Sequence, residues 1–207
     1  MLIILDEVTT GFRLAFGGGQ ECFGLSPDLV TYGKAMAGGL PAGALAGRTD
    51  IMKALSPTDN RPAVFAGNTF AGNPLSVAAS FATLSYLSEH RDTVYGNLEK
   101  SAAHLADSLN AYWSETDAPL HIARFGSMLR LFLQPGPVNR DKSAGPGFGP
   151  AEDAFFVHLL GRGVTLHASR SIHLSTAHTR EDLDLAIEAM IGATDDCAAD
   201  GLFRNIQ

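Results

Sequence analysis

In Tyr32-Gly33-Lys34-Ala35-Met36-Ala37-Gly38-Gly39-Leu40-Pro41 a single amine stands among small and apolar residues. This stretch continues the run Leu29-Val30-Thr31-Tyr32, which reads as a short strand after the turn signal Ser26-Pro27, so Lys34 falls in the turn just beyond a strand. An amine held among small residues at such a turn, with a carboxylate delivered by another strand, suits a lysine that forms an imine with an aldehyde cofactor. The apolar flanks Met36 and Leu40 are suited to desolvating it. The competing reading is an ordinary solvated loop lysine. The surrounding glycines and the placement after a strand favour the functional one.

The carboxylate is Asp6. Leu2-Ile3-Ile4-Leu5 is a continuous apolar run, as expected for a strand covered on both faces of an α/β sheet, and Asp6 stands at its C-terminal tip. A carboxylate there is costly to bury without a cationic partner, and a protonated pyridine nitrogen is such a partner. Capping of the next element is an equal alternative for Asp6. Glu7 points to the opposite face and reads as a structural hydrogen-bonding group, while Val8 returns to the face of Asp6, to press on a flat ring or to serve as a plain core valine. In Gly67-Asn68-Thr69-Phe70-Ala71-Gly72-Asn73-Pro74, small residues and a hydroxyl lead into a helix N-terminus, a good anion site in which Thr69 would bind a phosphate oxygen. The alternative is a turn that serves only the helix.

Working outward, residues 9–27 read as a loop with one helical turn, Ala42–Gly47 as a strand, Asp50–Leu55 as a short helix and Pro57–Pro62 as a polar loop. A long helix begins at Asn73-Pro74 with the stripe Leu75, Ala78, Ala79, Ala82, Leu84 and Leu87. A second runs from Val94 to Trp113 after a polar break at residues 89–92. Beyond it the pattern is strand 122–125, strand 128–133, a Pro/Gly-rich loop 135–150, helix 151–160, strand 164–166, strand 172–174 and helix 180–191, with Thr179 and Asp182 forming a box-like N-cap. Alternating strands and helices give α/β, then α+β.

Composition excludes several classes. With 207 residues, 45% hydrophobic and 18% charged, the chain is globular, and a formal charge of −7 without basic clusters argues against nucleic acid as a partner. Cys22 and Cys197 fit no metal spacing and read as free thiols in a reducing compartment. His167, His173 and His178 lack the spacing of a helical zinc pair, so no metal site is expected. The apolar opening meets Asp6 and Glu7 too soon for a signal peptide or membrane anchor, which predicts a cytoplasmic protein. Gly33-Lys34 lacks the frame of a nucleotide phosphate loop, and Gly126-Ser127-Met128 lacks the second glycine of a nucleophile elbow. A chain that opens inside an apolar strand is expected to lack residues that precede it in the whole protein.

Leu5-Asp6-Glu7-Val8, Thr10-Gly11-Phe12-Arg13, Pro27-Asp28-Leu29, the 33–41 lysine segment, Thr69 with Gly72-Asn73-Pro74, and Leu174-Ser175-Thr176-Ala177-His178-Thr179 follow one another as in a known family. Over nearly its whole length the chain closely resembles the class III aminotransferases of fold type I. The resemblance implies an α/β fold type I pyridoxal-phosphate-dependent transferase, with residues 1–92 as the C-terminal part of the large cofactor domain and residues 93–207 as an α+β small domain. It implies that Asp6 holds the pyridine nitrogen of pyridoxal 5'-phosphate, that Lys34 forms the internal aldimine and moves the proton, and that Thr69 reaches the cofactor phosphate of the neighbouring subunit in a homodimer. The family's second phosphate loop and stacking aromatic ring precede the Asp6 strand and are not present here.

The implied activity is transfer of an amino group from a small-molecule donor to a ketone or aldehyde acceptor, free or carrier-protein-bound. The segment from Gly163 to Thr179 is similar to two branches, the glutamate-1-semialdehyde aminomutases and the aminotransferase domains of assembly-line synthetases. An intramolecular aminomutase and a catalytically inactive fragment are therefore the alternatives. Arg170 is a candidate for a substrate carboxylate, with a salt-bridged surface arginine as the equal alternative.

Overall fold

The computed structural model describes residues 1–58, 62–138, 149–167 and 169–204, and the chain divides into two compact units, Met1–Tyr95 and Gly96–Gln207.

In the first unit the elements are β1 (Ile4–Glu7), α1 (Gly18–Phe23), β2 (Leu29–Tyr32), a 3-10 turn at Lys34–Ala37, β3 (Ala44–Gly47), α2 (Thr49–Met52) and α3 (Pro74–Glu89). β2 is central, parallel to β1 and antiparallel to β3, with Leu5 opposite Val30 and Val30 opposite Ala46. The expected strand at residues 2–5 is shifted along the chain. Asp28 ties the entry down, since its Oδ2 accepts from the Ile3 N–H (2.7 Å) and its Oδ1 from the Arg48 guanidinium (2.6 Å). Coverage of β1 on both faces is not realised: among the described residues its one sheet neighbour is β2, and Ile4 is 63% exposed.

The segment after β1 is organised by Glu7, whose side chain points inward as the strand alternation requires. Its carboxylate is buried and accepts from the backbone N–H groups of Gly19 (2.9 Å) and Gln20 (2.8 Å) and from the Thr10 hydroxyl. Gly18 has φ +67°, and a Cβ there would lie 2.7 Å from Glu7 Oε2, so the close approach of this loop to the carboxylate requires glycine on both counts. Gln20 Nε2 donates to the Tyr32 hydroxyl at 2.7 Å, linking the loop to the end of β2. Tyr95 donates its hydroxyl to the Phe12 carbonyl at 2.9 Å, and burial pushes that phenol up to about 12.

α3 starts where expected. Asn73 Oδ1 accepts from the N–H groups of Leu75 and Ser76, both at 3.1 Å, and Pro74 occupies the first turn, where no N–H is needed. The expected apolar stripe is only partly buried. Leu75 and Phe81 are exposed, Leu84 and Leu87 are half-buried, and Thr83 meets the 3-10 turn beneath it. A Cβ on Gly38, whose φ is +57°, would lie 2.8 Å from Thr83 Oγ1.

α4 (Arg91–Glu115) begins one residue after α3, at His90, so the break expected at 89–92 is narrower than the polar run suggests. The second unit is the sheet β4 (His121–Phe125), β5 (Met128–Phe132), β6 (Ser171–His173), all antiparallel with β5 in the middle, together with α5 (Pro150–Gly161) and α6 (Arg180–Ala199). Its core is made of Leu105, Leu109 and Trp113 of α4, Ile122, Leu129 and Leu131 of the sheet, Phe155 and Leu159 of α5, and Leu183, Met190 and Cys197 of α6. Burial pushes the Cys197 thiol up to about 11, so it packs as a neutral apolar group. The free N–H and C=O of Ile122 on the edge strand β4 are met by Asn110, which accepts at 2.8 Å and donates at 2.9 Å.

Two expectations change here. Residues 164–166 form no strand: Val164 donates its N–H to the Leu159 carbonyl at 3.2 Å as the chain leaves α5, and Val164 and Leu166 pack on the core without a ladder partner. α6 runs on past residue 191 to Ala199, because Thr194 and Cys197 continue the buried stripe of Leu183, Ile187 and Met190. The expected loop at 135–150 lies largely outside the described residues, as does part of the loop at 57–62.

The N-cap of α6 is a reciprocal box. Asp182 accepts from the Thr179 N–H (2.8 Å) and hydroxyl (2.9 Å), and these two bonds, the backbone one first, hold its carboxyl below the ordinary carboxylate value of 3.8. A folded pKa below the unfolded one means that this box stabilises the fold above about pH 4 and loses its effect as pH falls through the lowered value. Thr179→Ala is expected to lower the melting temperature by about 4 °C at pH 7 and by less at pH 3, as thermal unfolding followed by circular dichroism would record.

Candidate active site

Asp6, Val8 and Lys34 lie at one end of the parallel pair β1–β2, the C-terminal end at which open α/β sheets present ligand groups. Asp6 pairs with Thr31 in the ladder, and its exposed carboxylate accepts from the Val8 N–H at 2.9 Å and from the Thr31 hydroxyl at 3.4 Å, both through Oδ1. Among the described residues no hydrogen bond reaches Oδ2. Asp6 therefore serves its own turn with one oxygen and offers the other. Val8 is half-buried, and a Cβ on Gly33 would come within 3.3 Å of its Cγ1, so the two segments close tightly where Lys34 begins.

Lys34 opens the 3-10 turn with φ +43°, a left-handed conformation that L-residues adopt at a cost of about 1–2 kcal/mol. Its side chain is exposed, and Nζ donates to the Thr9 hydroxyl. The desolvation expected from the flanking residues is not present, because Met36 turns inward while Lys34 and Leu40 face outward. Sequence reasoning passed over Thr9. Strict alternation from Asp6 and Val8 would send Thr9 to the far face, but the strand ends at Glu7 and the chain turns, bringing the hydroxyl to Lys34.

Thr69 is exposed in the turn that precedes α3, and among the described residues no hydrogen bond joins it to Asp6, Val8 or Lys34. The helix N-terminus beside it is partly spent, since Asn73 takes the N–H groups of Leu75 and Ser76 and Asn68 Oδ1 takes that of Phe70 at 2.8 Å. The Thr69 hydroxyl remains as a donor. A cleft of about 810 Å³ opens along this loop, lined by Met36, Ala42, Ala44, Asn68, Phe70 and Ser76 among others.

Arg170 belongs to the other unit. It is buried, with φ +61°, and its Nε lies 3.4 Å from Glu152 Oε1, itself buried. It is salt-bridged, as one of the two readings held, but not on the surface. Among the described residues no group of three or more His, Cys, Asp or Glu side chains could hold a metal ion, and no helix is long and apolar enough to cross a membrane.

The α/β fold is that of the transferases of fold type I, and the chain belongs to the class-III aminotransferases, whose family pattern it matches over residues 1–192. It is similar to the glutamate-1-semialdehyde 2,1-aminomutase of Syntrophobacter fumaroxidans, with 44% identity over 190 residues that cover 91% of this chain and 43% of that protein. The fold matches an omega-transaminase from Sphaerobacter thermophilus with TM-score 0.85 and 24% identity, covering 96% of this chain and 45% of that one. It also matches the internal aldimine form, with pyridoxal phosphate, of the FumI protein from Sphingopyxis sp. MTA144, with TM-score 0.78 and 26% identity, covering 100% of this chain and 45% of that one. The chain spans less than half the length of these relatives.

Proposed function

We propose that this chain provides the lysine, the ring-nitrogen partner and a phosphate ligand of a pyridoxal-phosphate-dependent enzyme that moves an amino group between a small-molecule donor and a ketone or aldehyde acceptor. The observation that carries the reading is that an exposed primary amine, Lys34, and an available carboxylate oxygen, Asp6, stand at the same end of two paired strands. When bound, pyridoxal 5'-phosphate supplies an aldehyde for amine exchange and a protonated ring that takes up electrons. Asp6 would accept the ring N–H and keep it protonated, Val8 would press on the ring, and Lys34 Nζ would be the amine placed to condense with the aldehyde, whose oxygen leaves as water, and to carry the proton. The Thr69 hydroxyl would donate to a phosphate oxygen in the neighbouring subunit of a homodimer. In this reading the enzyme works in the cytoplasm, and Arg170 is a candidate for a substrate carboxylate or a carrier-linked substrate.

A second reading is favoured by the 44% identity to a protein named as an aminomutase. There the same residues move the amine between two carbons of one substrate and need no separate donor. One experiment separates the two. The chain loaded with pyridoxal phosphate is given single amino donors with no acceptor, and pyridoxamine phosphate is measured by chromatography. Conversion that Lys34→Ala abolishes supports transfer from a separate donor, whereas turnover of glutamate 1-semialdehyde alone supports the mutase. Absence of both, with no cofactor retained, would overturn the enzymatic reading in favour of an inactive chain.

A further inference from the structure

Lys34 carries its amine on a flexible four-carbon stem, and an exposed lysine side chain has about 2 kcal/mol of rotamer entropy to lose on being fixed. Something must aim it. The hydrogen bond of Nζ to Thr9 Oγ1 is placed to do so, and the backbone that carries Thr9 is itself held on both sides. Ahead of it, the Val8 N–H donates to Asp6 Oδ1 at 2.9 Å. Behind it, the Thr10 hydroxyl donates to the buried Glu7, the Gly11 N–H donates to the Glu7 carbonyl at 2.9 Å, and the Arg13 and Leu14 N–H groups donate to the Thr10 carbonyl at 3.2 Å. Gly33, with no Cβ to push against Val8, lets the lysine segment close on this turn.

We infer that Thr9 is the positioning residue for the Lys34 amine: its hydroxyl holds Nζ over the Asp6 end of β1 in both protonation states of the amine. The inference rests on the function proposed above. A hydroxyl suits this task for a chemical reason. It accepts from an ammonium and donates to the lone pair of a neutral amine, whereas a carboxylate serves only the first and an apolar side chain neither. Thr9 touches neither ring nor substrate in this account and acts only through Lys34.

The test compares the 207-residue chain with its Thr9→Val and Thr9→Ser variants, using two probes read as the Lys34 to Lys53 labelling ratio by peptide mass spectrometry. The first probe is pyridoxal phosphate trapped with borohydride, and the second is trace acetic anhydride, which needs no cofactor site. Loss of a hydrogen bond that fixes an amine is expected to lower the Lys34 ratio with pyridoxal phosphate about tenfold in Thr9→Val. The same loss frees the nitrogen and raises the anhydride ratio several-fold. Thr9→Ser keeps both ratios within about twofold of wild type. Both lysines are already exposed, so a variant that merely loosened the fold would shift the two probes in the same direction and could not produce opposite changes. Wild-type ratios in Thr9→Val, or a Thr9→Ser chain that behaves like Thr9→Val, would overturn the inference. A wild-type chain with no preference for Lys34 toward pyridoxal phosphate would instead overturn the proposed function and Thr9's role in it, and the anhydride ratio would then decide the Thr9–Lys34 contact by itself.

Discussion

Glu7→Ala is expected to destabilise the Met1–Tyr95 unit by about 2–5 kcal/mol, since it strands the buried N–H of Gly19, at about 1–3 kcal/mol, and the part-buried Gln20 N–H and Thr10 hydroxyl, which water partly re-satisfies, at about 0.5–1 kcal/mol each. The side chain is 1% exposed, so water does not replace it readily. The loop has no easy way to collapse into the gap, because its approach is already set by the left-handed Gly18. Glu7→Gln is expected to cost less but to remain destabilising, as it keeps one acceptor oxygen and turns an NH₂ group toward N–H donors. The change should also reach the site: Gln20 holds the Tyr32 hydroxyl two residues before Lys34, and Thr10 sits next to Thr9. Hydrogen exchange of the amides of residues 1–95, in urea, reads this unit without averaging it with the other. A loss below about 0.5 kcal/mol would mean that Glu7 is a passenger rather than the organiser of this loop.

Trp113→Ala is expected to cost the other unit about 3–5 kcal/mol, the range for emptying a large aromatic site in a close-packed core. Trp113 is 1% exposed, and its indole N–H donates to Thr194 Oγ1 at 3.0 Å. Thr194 donates its own hydroxyl to the Met190 carbonyl at 2.8 Å, so loss of the indole leaves an idle lone pair rather than an unpaired donor. The cavity, lined by α4 and α6, then accounts for most of the cost. Trp113→Phe, which fills much of the space, should recover at least half. Trp113 is the chain's one tryptophan, so circular dichroism must replace intrinsic fluorescence as the readout. Little change in stability would show that the core relaxes around the site.

Both of these residues were accessible to sequence reasoning only in part. The alternation Asp6-Glu7-Val8 puts Glu7 on the face opposite Asp6 as a structural hydrogen-bonding group, but its partners lie 12 and 13 residues on, in a glycine run whose close approach depends on backbone conformation that composition does not reveal. Where the signal is local the reading was firm. β2 occupies Leu29–Tyr32 as its β-branched run and flanking turn residues require, α3 begins at Asn73-Pro74, and Thr179 and Asp182 cap each other. It failed where tertiary contacts decide. Val164 and Leu166 look like a strand because they are apolar and alternate, yet a strand also needs a free ladder edge, and at the β5 edge that role belongs to β6. α6 outlasts Gly192 because residues beyond it are buried. The order of Asp6, Lys34 and Thr69 along the chain was legible from their neighbours, whereas the exposure of Lys34 and its hold on Thr9 depend on how a turn closes.

The most direct test of the central claim is to incubate the chain with pyridoxal phosphate, reduce it with borohydride and map the pyridoxyl group by mass spectrometry. The account predicts modification of Lys34, with Lys53, Lys100 and Lys142 at background and no stable label in Lys34→Ala. Modification spread evenly over these lysines, or unchanged by Lys34→Ala, would contradict it.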